Sequence, residues 1–400
     1  MSMVQLTPAS TEAELVSSAK SFVGLLRETA RDTERRRSVP ASTMDALRGA
    51  GLLRVCQPAR FGGSECSLQT AYEIITTLAE GCASTAWCTV IGAIDGWMAA
   101  GYPLRAQSDL WSRNPDVFIS GSVAPSAKAH RAEGGFVISG RWSFSSGCDH
   151  ADWASIGVIM ESETTGQMAP AFLLVPRDDF SIDDDWDTYG LSGTGSKTIV
   201  CQEVFVPAHR VLTFADATAG TGPGTQTHSN PLYRVPFLSA FPTLLAAVAV
   251  GAARGAVRDY VDQVSVRETR GAVAGGKLRM ASLATIQLRL AEAHSATEAA
   301  DLVLRKSLDR ACGIIEGGRA LTVPERIACR REQAYAVKLA AQATELLNAS
   351  TGGQGLSLNG SVQRAWRDVN AVARHISLNW DAVGTMFGQS TLGLEPMGQY

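Results

Sequence analysis

Between Ser139 and Trp153 the chain reads SGRWSFSSGCDHADW, which crowds Trp142, Phe144, Ser143, Ser145 and Ser146 ahead of Asp149, His150 and Asp152. Hydroxyls can donate or accept as their rotors demand, and aromatic rings supply flat apolar walls. The stretch therefore suits either the polar edge of an ordinary sheet or the wall of a site that holds a small molecule. His150 and Asp152 could equally fix the hairpin that follows. Two further residues stand apart from their surroundings. Asp95 interrupts the apolar run VIGAIDGW, next to Trp97, and His375 lies in RHISLNW. A single helical histidine is ordinarily a packed or solvated residue, but it is also the side chain best able to move a proton near neutrality.

Other patterns exclude chemistry. The eight cysteines are scattered with no CxxC pair, and the six histidines show no HExxH spacing, so a metal site is not expected and the thiols should be reduced and mostly buried. GLSGTGSKT, Gly190 to Thr198, resembles a phosphate loop, but Ser196 separates the last glycine from Lys197. The strand-like TIVCQEVFVP follows it where a helix is required. GTGPG, Gly220 to Gly224, lacks the dinucleotide spacing. A net charge of -3 argues against nucleic acid as a partner. Met1 to Ser10 shows no charged segment leading into an apolar core, which leads to the expectation of a cytoplasmic protein. The uncharged run Phe237 to Ala253 is short for a membrane span and contains Pro242. A buried core or interface helix is expected there.

The elements that must position these residues follow from periodicity. Thr11 to Arg36 has helical spacing with a Thr11/Glu14 capping box. A second helix starts at Ser42 after Pro40, and two more are separated near Gly81 to Ser84. From about Asp116, β-branched and aromatic runs alternate with Gly, Pro and Asp, predicting a small antiparallel barrel or sandwich over residues 117–212. Residues 215–231 read as a Gly- and Thr-rich loop. Helices resume over residues 242–264, 278–309, 324–348 and 362–387. The expected fold is α+β and mainly α, in three parts: an N-terminal helical domain (1–116), a central β-domain (117–230) and a C-terminal four-helix bundle (231–400).

That order resembles the acyl-CoA dehydrogenase fold. MDALRGAGLLRVCQPARFGGSE (Met44 to Glu65), GSVAPSAKA, DTYGLSGTGSKTIVCQEVFVPAHRV (Asp187 to Val211), VRETRG, GGQG and RDV are each similar to segments of that superfamily, in the same sequence over residues 40–390. GRWSFSSGCDHADW and RDVNAVARHISLNWDAVG look like its flavin-dependent monooxygenase branch, the oxygenase components of two-component aromatic hydroxylases. Common acyl-CoA dehydrogenases carry a catalytic Glu that falls at or beside Ile376, where this chain has no carboxylate.

The resemblance implies reduced FMN or FAD supplied by a separate flavin reductase, O2 as co-substrate, and oxygenation of an aromatic or polycyclic compound through a flavin C4a-hydroperoxide. Ser146 matches the residue that meets flavin N5, and Ser122 would lie near the pyrimidine edge. His375 matches the oxygenase histidine that stabilises or protonates the peroxide. Arg267 matches an arginine that reaches the flavin phosphate of a neighbouring subunit. Gly353 and Gln354 match a loop that approaches the cofactor across the same interface, implying a homo-oligomer, most simply a tetramer. Phenol-hydroxylating relatives often hold a histidine where Ile94 and Asp95 stand, so Asp95 and Trp97 are the candidate substrate residues. Hydroxylation of an amine, or acyl-CoA dehydrogenation or oxidation, are the alternative activities.

Overall fold

The computed structural model describes residues 11–162, 166–269 and 277–400. Among the described residues five helices come first: α1 (Glu12–Arg36), α2 (Ala41–Gly49), α3 (Leu68–Ala79), α4 (Ala83–Ala99) and α5 (Leu104–Trp111). Thr11 and Glu14 form the expected capping box on α1. Every residue of α4 is buried, so this helix is an interior wall with no solvent face. That is why its sequence is apolar all round.

Among the described residues seven strands follow: β1 (Ile119–Ala132), β2 (Gly135–Ser145), β3 (Trp153–Glu161), β4 (Met168–Pro176), β5 (Ser181–Asp183), β6 (Lys197–Pro207) and β7 (Val211–Thr213). They make one sheet in the order β5-β6-β2-β1-β3-β4-β7. The expected antiparallel barrel is corrected here: the sheet is open and mixed. After the β1–β2 hairpin the chain crosses to the far side of β1, so β3 runs parallel to β1. The edge strands β5 and β7, each three residues long, do not pair with one another.

The C-terminal part contains α6 (Phe214–Ala219), α7 (Phe237–Val266), α8 (Ala284–Glu316), α9 (Val323–Ala349), α10 (Ser361–Val372) and α11 (Trp380–Thr391). The stretch expected as a bare loop over 215–231 is instead built from α6 and short turns, with His228 buried and bonded to Gln107 Oε1 at 2.9 Å. Helix α7 is apolar and long enough to cross a membrane, yet 94% of its apolar window is buried among the other elements. Gly251 permits its approach to α3, since a Cβ there would lie 2.1 Å from the Thr76 carbonyl oxygen. Pro242 sits inside α7 and cannot donate to the Leu238 carbonyl. The buried Gln333 of α9 replaces that bond, donating to Leu238 O at 3.1 Å and Ser239 O at 3.2 Å. All eight cysteines are free and buried.

The single helix expected over 362–387 is broken in two. His375 ends α10's extension and caps a short turn, Ile376–Leu378, its Nδ1 accepting from the Ser377 N–H at 3.2 Å. Asn379 then caps α11 by accepting from Ala382 N–H. Capping side chains competed successfully with the helix ladder, and the break turns His375 inward.

Candidate active site

The strand β2 slips register between Trp142 and Ser145. Phe144 takes up the extra residue with φ 64, a left-handed conformation that a bulky side chain adopts only at a cost of about 1–3 kcal/mol. Its ring is 72% exposed and meets Trp186 edge-on at 6.0 Å. The consequence of the bulge is that both following serines turn inward. Ser145 Oγ lies 2.6 Å from Ser120 Oγ, and Ser120 donates to the Ser146 carbonyl at 3.1 Å.

Ser146 is buried and its Oγ is held from two sides. Trp87 of α4 donates its indole N–H at 3.0 Å, and Ser196 Oγ lies 2.7 Å away. Ser196 in turn is 2.6 Å from Thr194 Oγ1, which donates to Leu191 O at 2.8 Å. The loop carrying these groups is anchored by α10, whose Asp368 accepts from Leu191 N–H at 2.7 Å. Burial pushes the Asp368 carboxyl up to about 6, with the Leu191 N–H opposing the rise. Beside it, Arg367 pairs with Glu34 of α1 and donates to Gln363 at 2.7 Å.

His375 also meets Trp87, edge to face with ring centroids 5.7 Å apart, and packs against Phe241 of α7 at 6.2 Å. Burial lowers its basicity to about 4, helped by the nearby Arg330 charge. Arg330 also fixes the turn, donating to Ser377 O at 2.8 Å. Because Nδ1 accepts a backbone N–H, the proton of the neutral imidazole resides on Nε2, which can donate. Trp87 thus joins Ser146 to His375. From His375 an aromatic column continues through Phe241 and Phe237, stacked at 4.9 Å, to Trp97 at 6.4 Å. Trp97 lines a small cleft with Leu212, Tyr233, Val235 and Phe237, and its own N–H is committed to Leu232 O.

The remaining expected residues fall elsewhere. Ser122 is buried and donates to the Ser143 carbonyl at 2.8 Å, tying β1 to β2. Asp95 lies against Gly121 of β1, where a Cβ would come within 2.8 Å of its Oδ2. That oxygen is buried without a hydrogen-bond partner, and burial holds the carboxyl well above the usual range. Asp95 is not among the residues lining the Trp97 cleft. Arg267 donates to Thr351 O at 3.0 Å, beside the exposed Gly353 and Gln354. This trio lies at the far end of α7, about 39 Å along the helix from Phe241 at 1.5 Å per residue. It is therefore not assembled with Ser146 and His375 in one subunit. His150 bonds Val39 O at 2.9 Å and Asp152 accepts from Phe118 N–H at 2.8 Å, so both fix the turn. Sequence reasoning missed Trp87, Thr194, Ser196 and Phe241. For Trp87 a signal was available: positions 87, 91, 94 and 98 share one helical face with the singled-out Asp95.

Residues 10–105 match the N-terminal domain, and residues 243–380 the C-terminal domain, of the acyl-CoA dehydrogenases. The oxygenase component of FADH(2)-dependent resorcinol hydroxylase from Rhizobium sp. (strain MTP-10005) is 47% identical over 400 residues, covering 98% of each chain. The crystal structure of 3-HSA hydroxylase from Rhodococcus sp. RHA1 superposes with a TM-score of 0.90 at 33% identity, covering 96% of this chain and 98% of that one. XiaF from Streptomyces sp., in complex with FADH2 and glycerol, superposes with a TM-score of 0.88 at 26% identity, covering 97% of each chain. The chain belongs to the acyl-CoA dehydrogenase family, in the branch of oxygenase components of flavin-dependent aromatic hydroxylases.

Proposed function

We propose that this monooxygenase takes FADH2 from a separate flavin reductase and, with O2, hydroxylates a small phenol of the resorcinol type. The observation that carries the reading is that Ser146 and His375 both contact Trp87, beside the aromatic rings of Phe241 and Phe237. The likeness to the Rhizobium oxygenase supports the substrate class.

The groups present fit a reduced flavin. Ser146 and His375 are neutral hydrogen-bonding partners, and no carboxylate occurs between Arg374 and Trp380 to draw a proton from an acyl thioester. When bound, reduced flavin supplies the electrons that activate dioxygen. Ser146 is the partner of flavin N5, held rigid by Trp87 and Ser196. His375, neutral at physiological pH, offers its Nε2–H to the developing negative charge on oxygen. Phe241, Phe237 and Trp87 exclude the water that would otherwise compete. Trp97 borders the entry of the aromatic substrate. Asp95, whose Oδ2 is buried without a partner against Gly121, would meet a phenolic hydroxyl only if the substrate passes beyond the Trp97 cleft, which Asp95 does not line. Ser122 acts indirectly, by holding β1 against β2.

The separation of Arg267, Gly353 and Gln354 from Ser146 supports a homo-oligomer, a tetramer by analogy with the fold, in which one subunit holds the flavin ring and another its phosphates. Four C-terminal helices, α7 to α10, would form the bundle at its centre. The test has two arms. Rapid mixing of the FADH2-loaded protein with oxygenated buffer should give a transient near-ultraviolet absorbance before oxidised flavin, and resorcinol should yield a hydroxylated product. Immediate appearance of oxidised flavin and hydrogen peroxide, with no product, would refute the reading. Subunits carrying Ser146→Ala and Arg267→Ala, each deficient alone, should regain part of their flavin binding when dissociated and reassembled together. No recovery would refute the shared site.

A further inference from the structure

We infer that Thr194 and Ser196 are positioning residues that fix the direction of the Ser146 hydroxyl, so that it accepts from a flavin N5–H and cannot donate to a bare N5. The inference rests on the flavin reading above and extends it to two residues whose effect is indirect.

The direction follows from counting protons. A carbonyl oxygen only accepts, so Thr194 spends its single hydroxyl proton on Leu191 O, at 2.8 Å. In the 2.6 Å contact between Thr194 and Ser196, the donor must therefore be Ser196. Ser196 then has no proton left for the 2.7 Å contact with Ser146, so Ser146 donates there. Trp87 Nε1–H, a donor only, occupies one lone pair of Ser146 Oγ at 3.0 Å. What remains on Ser146 is one lone pair and no proton.

Reversal is opposed on every side. Thr194, Ser196 and Ser146 are each at most 5% exposed, so solvent offers no replacement partner. Turning the chain of hydroxyls around would pass the Thr194 proton to Ser196 and leave the Thr194 oxygen facing Leu191 O at 2.8 Å with no proton between them, although Trp186 Nε1–H also reaches that carbonyl at 3.3 Å. Leu191 is itself fixed, in a left-handed conformation at φ 52, by the Asp368 carboxylate on its N–H. The Thr194 backbone is held as well, its carbonyl accepting from Gly147 N–H at 2.9 Å.

Reduced flavin carries a hydrogen on N5, whereas oxidised flavin presents a lone pair there. An acceptor-only Ser146 binds the first and repels the second. The loop thereby makes the site selective for the form that can activate oxygen, releases the spent form, and opposes loss of the N5 proton during turnover.

The test is the dissociation constant of reduced FAD, measured anaerobically, against that of oxidised FAD, with the midpoint potential of bound FAD as a second readout. The wild-type protein should bind reduced FAD more tightly. Thr194→Val keeps the shape but removes the acceptor for Ser196, and Ser196→Ala removes the acceptor for Ser146. Either change frees Ser146 to donate. Each should narrow the preference about tenfold, which corresponds to a fall of about 30 mV in midpoint potential for a two-electron couple. Thr194→Ser restores the hydroxyl and should restore the preference. If both constants weaken equally in Thr194→Val and Ser196→Ala, the residues only support the fold and the inference is overturned. If the wild-type protein binds neither form of FAD, the flavin reading itself fails.

Discussion

His375→Asn isolates the consequence of placing an imidazole among Trp87, Phe241 and the Arg330 charge. Asn can keep the cap, since its carbonyl oxygen can accept from Ser377 N–H as His375 Nδ1 does. What it removes is the titration. The imidazole is lowered from 6.5 to about 4 in the folded protein, mainly by burial. Above pH 6.5 the ring is neutral in both folded and unfolded chains and contributes no pH dependence. As pH falls below 6.5 the unfolded chain takes up a proton that the folded one refuses, so wild-type stability declines until about pH 4. With those two values the loss is about 2 kcal/mol at pH 5 and about 3 kcal/mol at pH 4. Urea unfolding of both proteins at pH 7, 6, 5 and 4 measures it, because other titrating groups cancel in the difference. The Asn variant should gain on the wild type by those amounts as pH falls. A difference that stays flat, or an imidazole that titrates near 6.5 by nuclear magnetic resonance, would refute the burial argument and the neutral Nε2–H donor with it.

Three other outcomes follow from the same geometry. Trp87→Phe keeps an aromatic ring beside His375 but removes the indole N–H from Ser146; unfolding should show a loss of about 1 kcal/mol, and the transient absorbance after oxygen mixing should decay faster. Glu34→Gln leaves the buried Arg367 charge, whose Nη2 already lacks a partner, without its carboxylate. That should cost about 3–5 kcal/mol by denaturant titration, and a change under 1 kcal/mol would mean the pair is not desolvated. For Asp95→Asn the sign is opposite to that of an ordinary paired carboxylate. The buried wild-type carboxyl holds a proton that the unfolded chain releases above about pH 4, so wild-type stability declines with rising pH. The Asn variant should gain on the wild type as pH rises from 4, and a flat difference across that range would show that Asp95 is ionised in place.

The helices with strong start signals were legible. The Thr11/Glu14 box lies where the residues predicted it, and the helix expected from residue 324 starts at Val323 with Pro324 in its first turn, because capping is a local competition for a few backbone groups. The break at His375 was not legible. The residues 362–387 keep helical periodicity on both sides, and only the caps supplied by His375 and Asn379 interrupt it. The open mixed sheet was hidden for a different reason. Alternation marks strands but carries no information on which neighbour each strand takes, and β3 chose the far side of β1.

By itself the sequence determined the class of elements, the absence of a dinucleotide or phosphate loop, and the identity of Ser146 and His375 as candidates. Those conclusions depend on residue type and on spacing within one turn or one strand. Tertiary structure alone decided that Trp87 of α4 contacts both of them, that Thr194 and Ser196 hold the serine hydroxyl, and that Arg267 lies at the opposite end of α7. Each of these contacts joins residues far apart in the chain, and only packing of the helices against the sheet brings them within hydrogen-bonding distance or keeps them apart.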